Sequence, residues 1–487
     1  MVGNPGALIQ AVPNYRFSPW VLLYALLIAY SSTVIGPMGL HYVPIDPTEA
    51  WSQFIGRAFT WVDNGSDQRG DWMGNLSMYI PFGFLLTGTL WPRRGGAGGR
   101  GLAMLAAFAV GVGFLLAVKY AQIFFPPRTV TLNYVVAQSV GTAVGAMVFA
   151  LTHGRMSRMV WHGASGGRDN LRTLLRVYAA ALSIFLLMPL DFALSVGDLM
   201  AVAQRLPSVL FAMPGAGRPA VVQATALVAS TVAAAPFGLL MVVGPNGRNR
   251  LFGVAILRGI VWMLVLFALT AMLLSGAPTF VSVFCRMIGV GAGVCGMRWL
   301  VRQDPRRLRQ RLRTWSLLLL PLYLLVLLAV NGVLSTHWRN PAETLRDVYV
   351  LGLIPLFDYY IVTKAAAAKN IVGHLAMYAP LGVFAWLRGY RPRAGFVWAF
   401  VLALGIETAR YLRPGLEGDV NAVAVAGLAA LFAARLMPGL WRMLEGAMLP
   451  ALATPNGDQA PGWRERAAAG QVRAMARAAT DEETEHF

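Results

Sequence analysis

The feature that most constrains this chain is a series of twelve apolar segments, roughly 18–40, 73–91, 101–124, 132–153, 174–195, 220–243, 252–275, 279–301, 314–334, 369–387, 395–412 and 419–440. A bilayer core asks for about 20 mostly apolar residues per helix, and these segments have that length. Hydrophobic residues make up 57% of the chain and charged residues 13%. Soluble proteins run at about 45–50% and about 25%. The pattern excludes a soluble globular protein, a disordered chain and a collagen-like one. A length of 487 residues would by itself suggest about three domains. The composition makes it one membrane-embedded body instead, an all-α polytopic protein. An even span number puts both termini on one side.

The charge sorts along the same scheme. The net charge is +19. The loops after even-numbered spans hold Arg93, Arg94 and Arg100; Arg155, Arg158, Arg168 and Arg172; Arg248 and Arg250; Arg302, Arg306, Arg307, Arg309, Arg311 and Arg313; and Arg388, Arg391 and Arg393. The long loops after odd-numbered spans carry Asp46, Glu49, Asp63, Asp67, Asp71, Asp198, Glu343, Asp347 and Asp358. Arginine-rich loops stay in the cytoplasm, so the even loops and both termini are predicted inside. The excess charge reads as a topology signal rather than nucleic-acid binding. Cys285 and Cys295 lie ten residues apart in one segment, about 15 Å along a helix and too far for a disulfide. No cleavable signal peptide is expected.

The chain also repeats itself. Gly74–Gly83 reads GNLSMYIPFG, and Gly373–Gly382 reads GHLAMYAPLG. Each copy sits in the second span of a four-span set, after a long acidic loop and before a short basic turn. The third spans end in matching polar stretches, from Lys119 and from Glu407. Aligning Pro126 with Pro414 pairs Lys119 with Glu407 and Gln122 with Arg410. The fourth spans then begin near Asn133 and Asp419, with Gly141 and Gly427 eight residues on. A weaker copy occupies the middle. Pro236-Phe237-Gly238 stands where Pro81-Phe82-Gly83 does, Gly289 and Gly293 echo Gly141 and Gly145, and the polar positions are lost. The reading is three parallel four-helix units at 18–155, 172–301 and 313–440, followed by a cytoplasmic tail at 441–487. An even span number per unit gives all three the same orientation. The proline frees the carbonyl four residues back, Ser77 or Ala376, and kinks the span. Either a packing kink or a broken helix facing a polar cavity fits that feature.

These residues resemble the VanZ-like family, bacterial membrane proteins named for a teicoplanin-resistance protein. The first unit matches its pattern at Asn75, Tyr79, Pro81, Gly83, Gln122, Pro126, Arg128 and Gly141, and departs at Lys119 and Asn133. The third matches at Lys369, His374, Tyr378, Pro380, Gly382, Glu407, Arg413, Asp419 and Gly427, and departs at Arg410. The resemblance implies a four-span unit, a bacterial inner-membrane location and a link to glycopeptide tolerance.

The polar residues near the outer ends of the spans are the candidate site. A charge at a span centre costs about 2.5–3.5 kcal/mol on insertion scales, and less near the ends. Only three of the 41 cations are lysine: Lys119, Lys364 and Lys369. Lys119, Lys369, Glu407 and Asp419 are predicted to line one outward-facing cavity, with Lys119 and Glu407 balancing each other across units. His374 is either a hydrogen-bonding strut or, with Glu407 and Asp419, an acid–base group. Arg128, Arg410 and Arg413 offer bidentate contacts to phosphate or carboxylate. Asn75, Tyr79, Gln122, Asn133 and Tyr378 complete the binding candidates. No phosphate loop, nucleophile motif or metal-ligand spacing is present, so no cofactor or metal is expected. Trp51, Phe54, Trp61 and Trp72 in the first outer loop, and His337, Trp338, Tyr349, Tyr359 and Tyr360 in the last long one, suggest interfacial segments. Belt anchoring and carbohydrate stacking both fit them. The tail stretch Gly462–Ala479 reads as a solvated helix or a disordered end. Together these features predict a membrane protein that binds or moves an amphipathic lipid, a lipid-linked saccharide or a cell-wall precursor. An intramembrane enzyme acting on such a lipid and a scaffold for envelope synthesis are the rivals.

Overall fold

A peptide group inside a bilayer has no water to bond with, so an apolar segment must satisfy its backbone by folding as a helix. The computed structural model follows that rule. It describes residues 17–448 apart from 34–41, 63–67, 93–95, 127–129, 164–167, 215–216, 244–250, 335–336, 341–343, 345–354, 358, 360–361, 363, 415 and 417. Arg128, Asp358 and the tail stretch Gly462–Ala479 therefore lie outside the described residues, as does the side chain of Lys364.

Fourteen helices are present among the described residues. The first unit holds α1 (Ser18–Thr33), α2 (Pro47–Ala58), α3 (Gln68–Leu90), α4 (Ala97–Gln122) and α5 (Leu132–Gly163). The middle holds α6 (Arg168–Leu187), α7 (Val196–Leu210), α8 (Ala220–Val242), α9 (Phe252–Ala271) and α10 (Phe280–Val301). Then come α11 (Pro305–Val330), α12 (Lys364–Arg388), α13 (Pro392–Tyr411) and α14 (Val420–Met448). No strand occurs among the described residues beyond one isolated bridge between Phe192 and Leu273. Ten of the helices are long and apolar enough to cross a membrane, an architecture of the multi-pass type. Twelve spans were expected. The other two coincide with α1, of which sixteen residues are described, and α3, whose first turns carry Arg69, Asp71 and Asn75.

Three boundaries move. The fifth span ends at Leu187, and the chain from Asp191 instead bonds to the segment after α9: Leu274 N–H donates to the Asp191 carbonyl at 2.9 Å and Ser275 N–H to its carboxylate at 2.9 Å. The basic segment 302–313 is mostly helix, because Pro305 opens α11 behind an Asp304 cap. The last helix runs on to Met448, past the predicted tail boundary. Trp441 is buried there beside Leu308, Trp386 and Met448, and Arg309 lies over the Trp386 ring at 4.9 Å.

The same two contacts occur in each four-helix set. First, the glycine two residues after the proline lies on the backbone of the fourth helix. A Cβ at Gly83 would sit 2.1 Å from the Thr142 carbonyl oxygen, at Gly238 2.1 Å from that of Val290, and at Gly382 2.0 Å from that of Ala430. Only a residue without a side chain permits that approach. Second, a tyrosine of the first helix donates to the carbonyl three residues before the proline. Tyr24 reaches Met78 at 2.8 Å, Tyr178 reaches Ala233 at 2.7 Å and Tyr323 reaches Met377 at 2.6 Å. These bonds fall on Met78 and Met377, one residue after Ser77 and Ala376, whose carbonyls the proline frees. Polar contacts join the sets: Tyr30 donates to the Pro355 carbonyl at 3.0 Å, Arg69 pairs with Asp198 at 2.5 Å, and Lys369 donates to the Met188 carbonyl at 3.1 Å.

Two short amphipathic helices flank the spans. In α2, capped by Asp46, Phe54 turns inward onto Tyr120 while Trp51 stays exposed. The helix α7 was not foreseen. Its sign in the sequence is the capping box Ser195-Val196-Gly197-Asp198, in which Ser195 and Asp198 each bond the other's backbone.

Candidate functional site

With outer and inner taken from the arginine pattern, the polar residues gather toward the outer ends of the second, third and fourth helices of the first and third units. In the first, Lys119 at the end of α4 is buried and donates to Gln122 at 3.1 Å, and Gln122 donates to the Ser32 carbonyl at 3.1 Å. The Lys119 ammonium also lies 5.2 Å from the Tyr134 ring centre. Asn75 on α3 donates to the Asp71 carbonyl at 2.9 Å and accepts from Gln138 on α5 at 2.9 Å. Asn133 clamps both backbone groups of Val62, at 3.2 and 2.6 Å. Tyr79 is buried with its ring edge-on to Phe82.

The third unit uses the same positions with other chemistry. Glu407, at the Lys119 position, has a side chain only 4% exposed. A carboxylate removed from water needs a cation and hydrogen bonds. It receives Arg410 at 2.9 and 3.2 Å and the Asp419 backbone N–H at 2.8 Å. Asp419 accepts from the Asn421 backbone at 2.7 Å, and its carboxylate stands 4.0 Å from His374 Nε2. That separation is an ion-pair distance, longer than a hydrogen bond. The Asn421 side chain accepts the Leu356 N–H at 2.6 Å. Arg413 lies over the Trp338 ring at 5.5 Å.

Several expectations change here. Lys119 and Glu407 do not balance each other across units; each meets a partner one helical turn along its own helix. Lys369 is exposed and bonds the Met188 carbonyl just past α6, and the groove beside Glu407 is lined by none of Lys119, Lys369 and Asp419. Glu407 does line a half-open groove of about 250 Å³ between α13 and α14, whose walls are otherwise Phe400, Leu404, Thr408, Tyr411, Val420, Val423 and Ala424. Asn133 corresponds in its bonding to Asn421 rather than to Asp419, since each clasps the loop that precedes its unit's second helix. Carrying the Pro126–Pro414 register through without a gap gives that pairing, and also aligns Thr142 with Ala430, the two carbonyls that face Gly83 and Gly382. Gln138 and Asn421 are the polar residues the motif search missed.

One property separates the third unit. The hydroxyl of Tyr378, Nδ1 of His374, Nδ2 of Asn421, and Nε and Nη1 of Arg413 are all buried without a hydrogen-bond partner in the protein. Folded proteins leave few such atoms. In the first unit the one such side-chain atom among the described residues is Oε1 of Gln138. Each of the four third-unit side chains can donate, so together they suit a ligand rich in acceptors.

No family model, curated protein or solved structure matches the chain. The VanZ-like resemblance therefore rests on the sequence motifs alone.

Proposed function

We propose that this chain is a VanZ-like, multi-pass protein of the bacterial inner membrane that binds or translocates an amphipathic lipid or lipid-linked saccharide of the cell envelope, a role the family resemblance ties to glycopeptide tolerance. In this reading the twelve spans form three parallel units at 18–155, 172–301 and 313–440 with both termini cytoplasmic. The thrice-repeated glycine and tyrosine contacts support the repeat. The first two units are chiefly structural, and the third carries the site. The observation that carries the functional reading is the set of buried, unpartnered donors on Tyr378, His374, Asn421 and Arg413 beside the Glu407–Arg410 pair. A sugar or phosphate headgroup supplies acceptors of the matching kind.

The rival reading, an intramembrane enzyme, draws on the 4.0 Å approach of His374 to Asp419. It is the weaker one, because neither His374 nor Asp419 is among the groove walls, and the Glu407 carboxylate there is already held by Arg410 and the Asp419 backbone N–H. The test is reconstitution of the full chain in liposomes with a fluorescent lipid-linked saccharide confined to one leaflet. Binding or leaflet exchange that Tyr378→Phe and His374→Ala both reduce is the expected result. Chemical conversion of the lipid establishes the enzyme, and neither binding, exchange nor conversion defeats both readings.

A further inference from the structure

We infer that the groove between α13 and α14 holds one acyl chain of a phosphate-bearing lipid, with Arg413 as the anchor for its phosphate. The inference rests on the lipid-handling reading above and names the ligand class and its seat. The groove lies on two helices long and apolar enough to span. Its walls are hydrocarbon and ring carbon apart from Glu407, Thr408 and the Tyr411 hydroxyl, and Phe400, Leu404, Val420 and Ala424 are exposed, so it opens to the lipid side. From Phe400 to Tyr411 the helix rises about 16 Å, the reach of an acyl chain rather than of a headgroup. A groove of about 250 Å³ is too small for a second helix, which is about 10–12 Å across.

The polar end of the ligand follows from what stands beyond Tyr411. The backbone N–H of Arg413 bonds the Arg410 carbonyl at 3.0 Å, which folds Arg413 back over the outer end of α13. Its residue is only 8% exposed, and two of its guanidinium nitrogens have no partner. Trp338 supports the guanidinium from one side at 5.5 Å. A buried guanidinium with unused donors calls for an oxyanion. Glu407 does not serve it: its oxygens bond Arg410 and the Asp419 backbone, and the two free Arg413 nitrogens meet neither. A lipid whose tail runs along α13 and whose phosphate ends at Arg413 meets both requirements at once.

The test uses the full chain in nanodiscs with two photoreactive lipids that share one diazirine-bearing acyl chain, phosphatidylglycerol and diacylglycerol. Phosphatidylglycerol should label peptides within 400–424, and diacylglycerol about tenfold less. Ala424→Trp, at an exposed position that tolerates bulk, should remove the label by filling the groove. Arg413→Gln should lower phosphatidylglycerol labelling about tenfold while leaving diacylglycerol unchanged; Arg413→Lys, which keeps the charge, should retain part of it. Equal labelling by both lipids, or no effect of Ala424→Trp, overturns the inference. Competition by inorganic phosphate as strong as that by phosphatidylglycerol makes the site one for free phosphate and overturns it too. Label elsewhere on the protein with none in 400–424 defeats the groove and leaves the lipid-binding function standing. No label anywhere defeats both.

Discussion

The first and third units place side chains at the same positions on the same scaffold, and differ in what those side chains leave unsatisfied. In each, a group on the third helix bonds the residue three places on: Lys119 with Gln122, and Glu407 with Arg410. The first unit's amides close its network, Gln138 onto Asn75 and Asn133 onto Val62. The third unit has His374 where the first has Asn75, and Ala426 where the ungapped register puts Gln138. Without that amide pair the network stays open, and Tyr378 and His374 keep buried atoms without partners. Helix packing is thus shared, while the pairing of the buried polar atoms depends on a few side-chain exchanges laid over it.

The largest effect should come from what the two units share. Gly83→Val and Gly382→Val each drive a side chain into a backbone carbonyl at about 2 Å. Both should lose about 3 kcal/mol or more, above the usual overpacking cost because backbone cannot repack. Chemical unfolding in detergent checks this, and a tolerant Gly382→Val would break the structural equivalence. Next, the units should separate at the charge. Glu407→Ala strands Arg410 and the Asp419 N–H, and should cost about 3 kcal/mol. Lys119→Met removes the hydrogen bond to Gln122 and should cost about 1 kcal/mol. Equal losses in the same unfolding assay would erase the distinction.

A transplant sharpens the point. Lys119→Glu alone buries an acid beside Gln122, whereas Lys119→Glu with Gln122→Arg recreates the third unit's pair. The double variant should recover about 2 kcal/mol relative to the single one. Smaller still, Tyr24→Phe, Tyr178→Phe and Tyr323→Phe each remove one hydrogen bond to the kinked turn. Each should cost about 0.6–1 kcal/mol, the average for such bonds in membrane proteins, and the three values should agree.

The smallest effect lies at the joint between the first two units. The Arg69 guanidinium, and then the Ser195 backbone, hold the Asp198 carboxyl well below the usual carboxylate range. A depressed carboxylate stabilises the fold above its unfolded value, about 3.9, and that contribution fades as pH falls below it. Thermal scans from pH 7 to pH 3 should therefore show a slightly steeper acid-side loss for the native chain than for Asp198→Asn.

Much of this was legible because the bilayer makes the backbone problem local. Length and apolarity alone locate the helices: ten of the twelve predicted segments coincide with helices long and apolar enough to span, the other two fall on α1 and α3, and the fifth ends early at Leu187. The proline–glycine motif was legible because its partner is a backbone carbonyl, the same atom whatever residue supplies it. The tyrosines at 24, 178 and 323 were missed, since three isolated tyrosines in apolar spans carry no local pattern. The site was legible in part. Its residues were named, but their pairing was not: Lys119 and Glu407 occupy matching places, and matching places invite a cross-unit pair. A side chain one turn away in the same helix is closer than one in another unit, so Gln122 and Arg410 serve instead.

The sequence by itself determined the helical spans, the repeated scaffold motif and the identity of the polar residues, because each depends on composition or on spacing along one helix. Which polar atoms end up buried without partners, and where a groove opens beside Glu407, only the tertiary structure decided. Those properties depend on what neighbouring segments bring to the same point in space: Arg413 meets Trp338, and Asn421 meets Leu356, across long stretches of chain.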